Sequence, residues 1–240
     1  MNALRPYHYH YLINPFTCSA EDLLKYAFQD LCLRHILTIE NRLVFLNKND
    51  TRPSLRAFFK QGENYNSAVV SEGEVFLYTM FSNYEELRFY QIRNKIISFL
   101  KSTPNFKTEC VYKELYNKNH CRLKYYSTKN GHYKMYKINY GLSKIEELIT
   151  INSFDTSLNY YLNAVGTNVI FLKPSTLNLL ANNYDFKEVN FNLDLKNWSS
   201  NSFRFDYFNT ESFTDFSFST TDFDGFDGGD FGGAGAGTDW

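Results

Sequence analysis

Residues 19–46 constrain the fold more than any other stretch, because a capped amphipathic helix runs there straight into strand-like residues. Ser19 and Asp22 have the spacing of a capping box, in which a hydroxyl accepts from an early helical amide and a carboxylate reaches back. Leu23, Leu24, Ala27, Phe28, Leu31 and His35 follow at helical spacing, which commits one face to a core. Glu21, Lys25, Gln29 and Asp30 lie on the opposite face, which is expected to meet solvent. At Ile36 the pattern changes to Leu37-Thr38-Ile39, a polar Glu40-Asn41-Arg42 corner and Leu43-Val44-Phe45-Leu46, the signature of a tight β-hairpin.

Helical and strand-like runs alternate along the rest of the chain. Residues 5–16 alternate Tyr7, Tyr9, Tyr11 and Ile13 against His8, His10 and Leu12, which predicts a strand ended by Pro15. Leu55, Phe58 and Phe59 predict a short helix stopped at Gly62. Ser71 and Glu74 form a second capping box ahead of Val75, Phe76, Thr79 and Met80. Further helices are predicted over 84–101, closed by Pro104, and over 108–119, with Val111, Tyr112 and Leu115 as the apolar side. Residues 121–126 and 132–140 then read as a strand pair around Lys129-Asn130-Gly131, since Asn-Gly is the strongest hairpin dipeptide.

Three helices followed by a hairpin is the order of a winged helix. The expected fold class is therefore α+β, mainly helical, made of winged-helix-like units with a disordered C-terminal tail. The units are a partial winged-helix-like unit over 1–66, a fuller one over 67–142, a helical extension over 143–196 and the tail over 197–240. In the extension, Ser143 with Glu146 is expected to cap a helix, 157–164 and 174–182 to be helical with Pro174 in a first turn, and 169–172 to be a strand.

From Asn197 onward Ser, Thr, Asp, Gly and Phe dominate, a composition whose glycine density predicts disorder. The charge divides at the same place. Residues 201–240 hold eight of the 26 acidic residues and one of the 25 basic ones, so the first 200 residues carry 24 basic against 18 acidic. The body is thus about +6 and the tail about −7, a pattern of opposed charges that can attract within one molecule or mask a basic surface. Nine phenylalanines between 203 and 231 exceed what a purely solvating tail needs.

The ending Gly228-Gly229-Asp230-Phe231-Gly232-Gly233, closing on Trp240, resembles the C-termini of bacterial TPM-domain proteins and YciQ-like membrane proteins. The phrases Leu31-Cys32-Leu33-Arg34-His35-Ile36-Leu37-Thr38-Ile39 and Ser71-Glu72-Gly73-Glu74-Val75-Phe76-Leu77 are similar to the soluble helix-and-hairpin parts of the latter. The likeness spans 19–126 loosely and 224–240 by composition. It implies a helix-and-wing architecture and no residue-level role, and this chain lacks the membrane spans of those families.

No apolar segment approaches the roughly 18–20 residues of a membrane span, and residues 1–16 have no signal-peptide pattern, so a cytoplasmic protein is expected. Cys18, Cys32, Cys110 and Cys121 then read as reduced thiols. His120-Cys121 with Cys110, and Cys18 with Cys32 and His35, lack the paired close spacing of a zinc site, so no metal or cofactor is expected. No nucleophile elbow, phosphate loop, dinucleotide fingerprint or metalloprotease helix is present, and an enzyme is not expected.

What remains is interaction. Phe213, Phe216, Phe218, Phe223, Phe226, Phe231 and Trp240 are candidate contacts for a protein partner, or for the basic body itself. A DNA-binding winged helix is the alternative, with Lys113 and Lys118 on the third helix and Lys124 and Lys129 in the wing as phosphate contacts. That helix offers few base-reading side chains, which favours protein over nucleic acid. A third reading makes the tail a substrate that is processed or modified, with the body as its recognition part.

Overall fold

The computed structural model of the chain describes residues 4–45 and 52–184. It is α+β and mainly helical, with small antiparallel sheets. The expected tail contacts, Phe213 to Trp240, lie outside the described residues.

Helix α2 (Ala20–Leu33) is the centre of the body. Its capping box forms as expected: Ser19 Oγ accepts from the Asp22 amide at 3.0 Å and Asp22 Oδ2 accepts from the Ser19 amide at 3.1 Å. Its termination is local too. His35 takes a positive φ of 55°, which lets the Ile36 amide donate back to Leu31 O at 3.0 Å. The carbonyl of His35 then faces Gly62 so closely that a Cβ there would sit 2.1 Å from the oxygen.

The expected solvent face of α2 is a correction: Lys25, Gln29 and Asp30 are buried. Helix α1 (Pro6–Ile13), helices α3 (Val75–Ser82) and α4 (Phe89–Ser102), strand β1 (Leu37–Val44) and a 3₁₀ turn (Gly166–Phe171) all pack against α2, so it has no free side. Each fully buried Leu or Phe on such a helix contributes about 1.5–3 kcal/mol.

Three more local expectations are overturned. Residues 6–13 are helical, because Pro6 takes the first helical position and Tyr7, His8, Tyr9, Tyr11 and Leu12 are all buried; their alternation marks no face. Glu40-Asn41-Arg42 is mid-strand. Strand β1 runs on to pair antiparallel with β2 (Ser54–Gln61), from Leu37 opposite Gln61 to Val44 opposite Ser54, and β3 (Glu86–Arg88) adds to β2. The polar corner survives as a cross-strand ion network, with Glu40 bonded by Arg42 and Lys60, and Arg42 reaching Glu86 at 2.9 Å. The expected helix at 55–59 is this β2, where Phe59 enters the core against Phe28 while Phe58 lies under the guanidinium groups of Arg42 and Arg88.

The second half follows α4 with a π-helical turn (Lys107–Tyr112) that continues into α5 (Lys113–Asn117) and a two-residue-per-strand hairpin, β4 (Cys121–Arg122) and β5 (Tyr126–Ser127). Two helices thus lead into small antiparallel hairpins, in loose agreement with winged-helix-like units. The long return strand expected over 132–140 is instead helix α6 (Lys129–Thr150), which also absorbs the cap expected at Ser143. Helix α7 (Thr156–Val165) is capped by Asp155, and α8 (Pro174–Asn183) has proline in its first turn as expected; the strand expected at 169–172 is part of the 3₁₀ turn. Buried residues from Leu4 to Tyr184 form one continuous core.

Candidate interaction surface

Helix α6 begins where it does for a physical reason that outweighs its Asn-Gly dipeptide. Thr128 Oγ1 accepts from the Gly131 amide at 3.1 Å, and the Asn130 amide group reaches His120 Nδ1 at 3.0 Å. A Cβ on Gly131 would lie 2.0 Å from His120 O, so glycine is required there for close packing against the preceding segment. Met135, Ile138, Leu142, Ile145 and Ile149 form the buried stripe, and Gly141 admits Val165 of α7, whose Cγ1 would be 2.4 Å from an added Cβ.

Opposite that stripe, Lys129, Tyr133, Tyr136, Lys137, Tyr140 and Lys144 recur every three or four residues and share one face about 22 Å long. Tyr133, Tyr136 and Tyr140 are 52%, 65% and 46% exposed. The rings and cations are interleaved: Lys137 Nζ lies 4.5 Å from the Tyr133 ring centroid, and the Tyr136 and Tyr140 rings stack at 6.2 Å. Tyr140 meets Tyr161 of α7 at 6.0 Å, and exposed Tyr160 continues the row. Residues 115–145 contain seven Lys or Arg and no Asp or Glu, so the face is cationic along its whole length up to Glu146 and Glu147, the latter paired with Lys144 at 2.6 Å.

The four lysines expected to meet phosphate fall on different elements. Lys113 is exposed on α5, and Lys118 is paired with Glu114 at 2.5 Å. Lys124 lies in the short hairpin, where its carbonyl accepts from the Tyr11 hydroxyl, and Lys129 opens α6. A strand over 132–140 would split the α6 stripe between two faces; the acid-free run and the four-residue spacing are the sequence signals for it.

A second constellation is buried. Arg34 pairs with Asp30 at 3.0 Å and with Glu74, while Arg5 Nε stands 3.8 and 3.9 Å from the same two carboxylates. Glu74 Oε2 also accepts from the Ser71 amide at 2.9 Å, and Ser71 Oγ bonds the Tyr7 hydroxyl rather than capping α3. Burial, reinforced by the charge of Asp30, pushes Glu74 up to about 7 against the pull of Arg34. Burial also pushes Asp30 upward, but Arg34 and Arg5 outweigh it and hold the carboxyl below its ordinary range.

Next to this, Glu114 Oε2 contacts His8 Nε2 at 3.1 Å and accepts from Tyr7 at 3.2 Å. Burial opposes ionisation of Glu114, yet His8 and Lys118 bring it down to about 2. Complete burial lowers His8 despite that carboxylate. The network ties α1, α2, α3 and α5 together, and its members sit far apart in sequence, so only the Asp30/Arg34 step had a local signal. Among the described residues, no group of three or more His, Cys, Asp or Glu is arranged to hold a metal ion, and no helix is long and apolar enough to cross a membrane. Cys18, Cys32, Cys110 and Cys121 are free thiols.

Fold and surface together define a mainly helical α+β body that carries a cationic, tyrosine-rich helix face. Compared with protein-family models, with curated proteins and with solved structures, the chain matches none.

Proposed function

We propose that the protein is a non-catalytic, cytoplasmic interaction adaptor that recognises acidic polypeptide through the Lys/Tyr face of α6. The observation that carries this reading is the interleaving of Lys129, Lys137 and Lys144 with three exposed tyrosines on one helix face in an acid-free stretch. Tyrosine provides large rigid contact area with a polar tip, and lysine provides charge that selects acidic ligands and speeds encounter. The buried carboxylate and arginine network is read as internal scaffolding that holds α1, α2, α3 and α5 together.

Nucleic acid is the second reading, because lysines follow a phosphate backbone and tyrosines stack bases. Affinity purification from the native host separates the two. Wild-type protein and a Lys129→Gln/Lys137→Gln/Lys144→Gln variant are compared at low and high salt, with nuclease treatment in parallel. The adaptor reading expects a defined protein, insensitive to nuclease, that the variant loses at least tenfold. Material that disappears with nuclease supports the nucleic-acid reading, and equal recovery on the variant removes α6 from either role.

A further inference from the structure

We propose that the α6 stripe is occupied in the same molecule by the chain's own acidic aromatic segment, centred on residues 222–227. The proposal rests on the reading of α6 as an acid-binding face and names what binds there. Residues 222–227 carry Asp222, Asp224 and Asp227 interleaved with Phe223 and Phe226. Six residues in extended form span about 20 Å, matching the stripe of about 22 Å over which cations and rings alternate. Successive side chains of an extended segment point to opposite sides, so Asp222, Asp224 and Phe226 would meet the stripe from one side and Phe223 and Asp227 from the other, carboxylates toward lysines and phenyl rings toward tyrosyl rings.

Position and tether favour this occupant over a second molecule. Helix α8 packs on α6, and its last described neighbour, Tyr184, precedes Asp222 by 38 residues, a length that does not limit reach across the stripe. Exposed Asp–Lys pairs and single ring contacts are individually weak. A free partner of equal chemistry at micromolar concentration would leave most of the surface empty. A tethered segment meets it at an effective concentration in the millimolar range and fills it. A partner of the adaptor must then displace the segment, so residues 222–227 set the threshold for binding.

The test uses the full chain, prepared unlabelled and ¹⁵N-labelled and mixed in equal amounts. Carbodiimide at low salt joins neighbouring carboxylates and lysines without a spacer, and mass spectrometry identifies the joined peptides and their isotope pairing. The expected result is linkage of the peptide holding Asp222, Asp224 and Asp227 to lysines of α6 within single molecules, suppressed by added salt. A Phe223→Ser/Phe226→Ser variant keeps every carboxylate and lysine and is expected to reduce the yield roughly tenfold, as two lost aromatic contacts require.

Linkage chiefly between labelled and unlabelled molecules, linkage to other lysines, or an undiminished yield in the phenylalanine variant overturns the proposal. A second arm adds polyaspartate. If it links to α6 while the chain's own segment does not, acid recognition stands and only the occupant is wrong. If neither links, the adaptor reading of α6 falls with the proposal.

Discussion

The buried pair Asp30 and Glu74 makes stability depend on pH in a direction opposite to that of most paired carboxylates, and Glu74→Gln isolates the effect. Glu74 in the folded protein holds its proton up to about 7, against an ordinary value of 4.5. Between those values the unfolded chain releases the proton and the folded one keeps it, so the contribution of Glu74 is fully present below about 4.5 and is lost as pH rises through about 7. A displacement of that size corresponds to about 3 kcal/mol. Gln mimics the protonated carboxyl and removes this dependence, while its amide facing Arg34 adds an offset independent of pH.

Urea unfolding followed by circular dichroism at pH 5, 6, 7 and 8 measures the stability of both proteins. The stability of wild type minus that of Glu74→Gln is expected to fall by about 2.5 kcal/mol from pH 5 to pH 8. Taking the difference removes the contribution of His8, whose lowered value acts in the opposite sense and is common to both proteins. Asp30, held below its ordinary range, titrates outside the window. A difference that stays constant within about 0.5 kcal/mol over this range would refute the assignment of a proton to Glu74.

Two further substitutions test the local reasoning. Gly131→Ala forces a Cβ onto the carbonyl of His120 and is expected to cost about 2 kcal/mol or more despite alanine's better helix propensity, read as a lowered Tm. Ser19→Ala removes the hydroxyl that accepts the Asp22 amide and is expected to cost about 1 kcal/mol in the same assay; an unchanged Tm would mean that the cap contributes nothing beyond what water supplies.

Local chemistry was legible wherever it was also locally satisfied. The Ser19/Asp22 box formed as written, as did the proline start of α8. Where a pattern depends on what surrounds it, sequence misled. The polar flank of α2 looks solvent-facing only if the helix lies at a surface, and Asp30 is paid for by Arg34 and Arg5 instead of by water. Asn130-Gly131 reads as a turn until Thr128 offers a cap and His120 O demands a glycine. The α6 face was visible in principle as an acid-free run with helical spacing. The Glu74 site was not, because its partners come from residues 5, 30, 34 and 71.

Helix α1 draws its polar partners from across the chain: Tyr7 bonds Ser71 and Glu114, Tyr9 bonds Asn139, Tyr11 bonds the carbonyl of Lys124, and the carbonyl of Leu4 just before it is capped by Asn168. Helix α1 is therefore made before all of these partners and is completed only after Asn168 has followed it. At about 5–20 residues per second, its buried hydroxyls wait on the order of ten seconds or more for the residues that satisfy them. During that interval those hydroxyls can bond only water, and the segment cannot close into the body until the 3₁₀ turn has followed it.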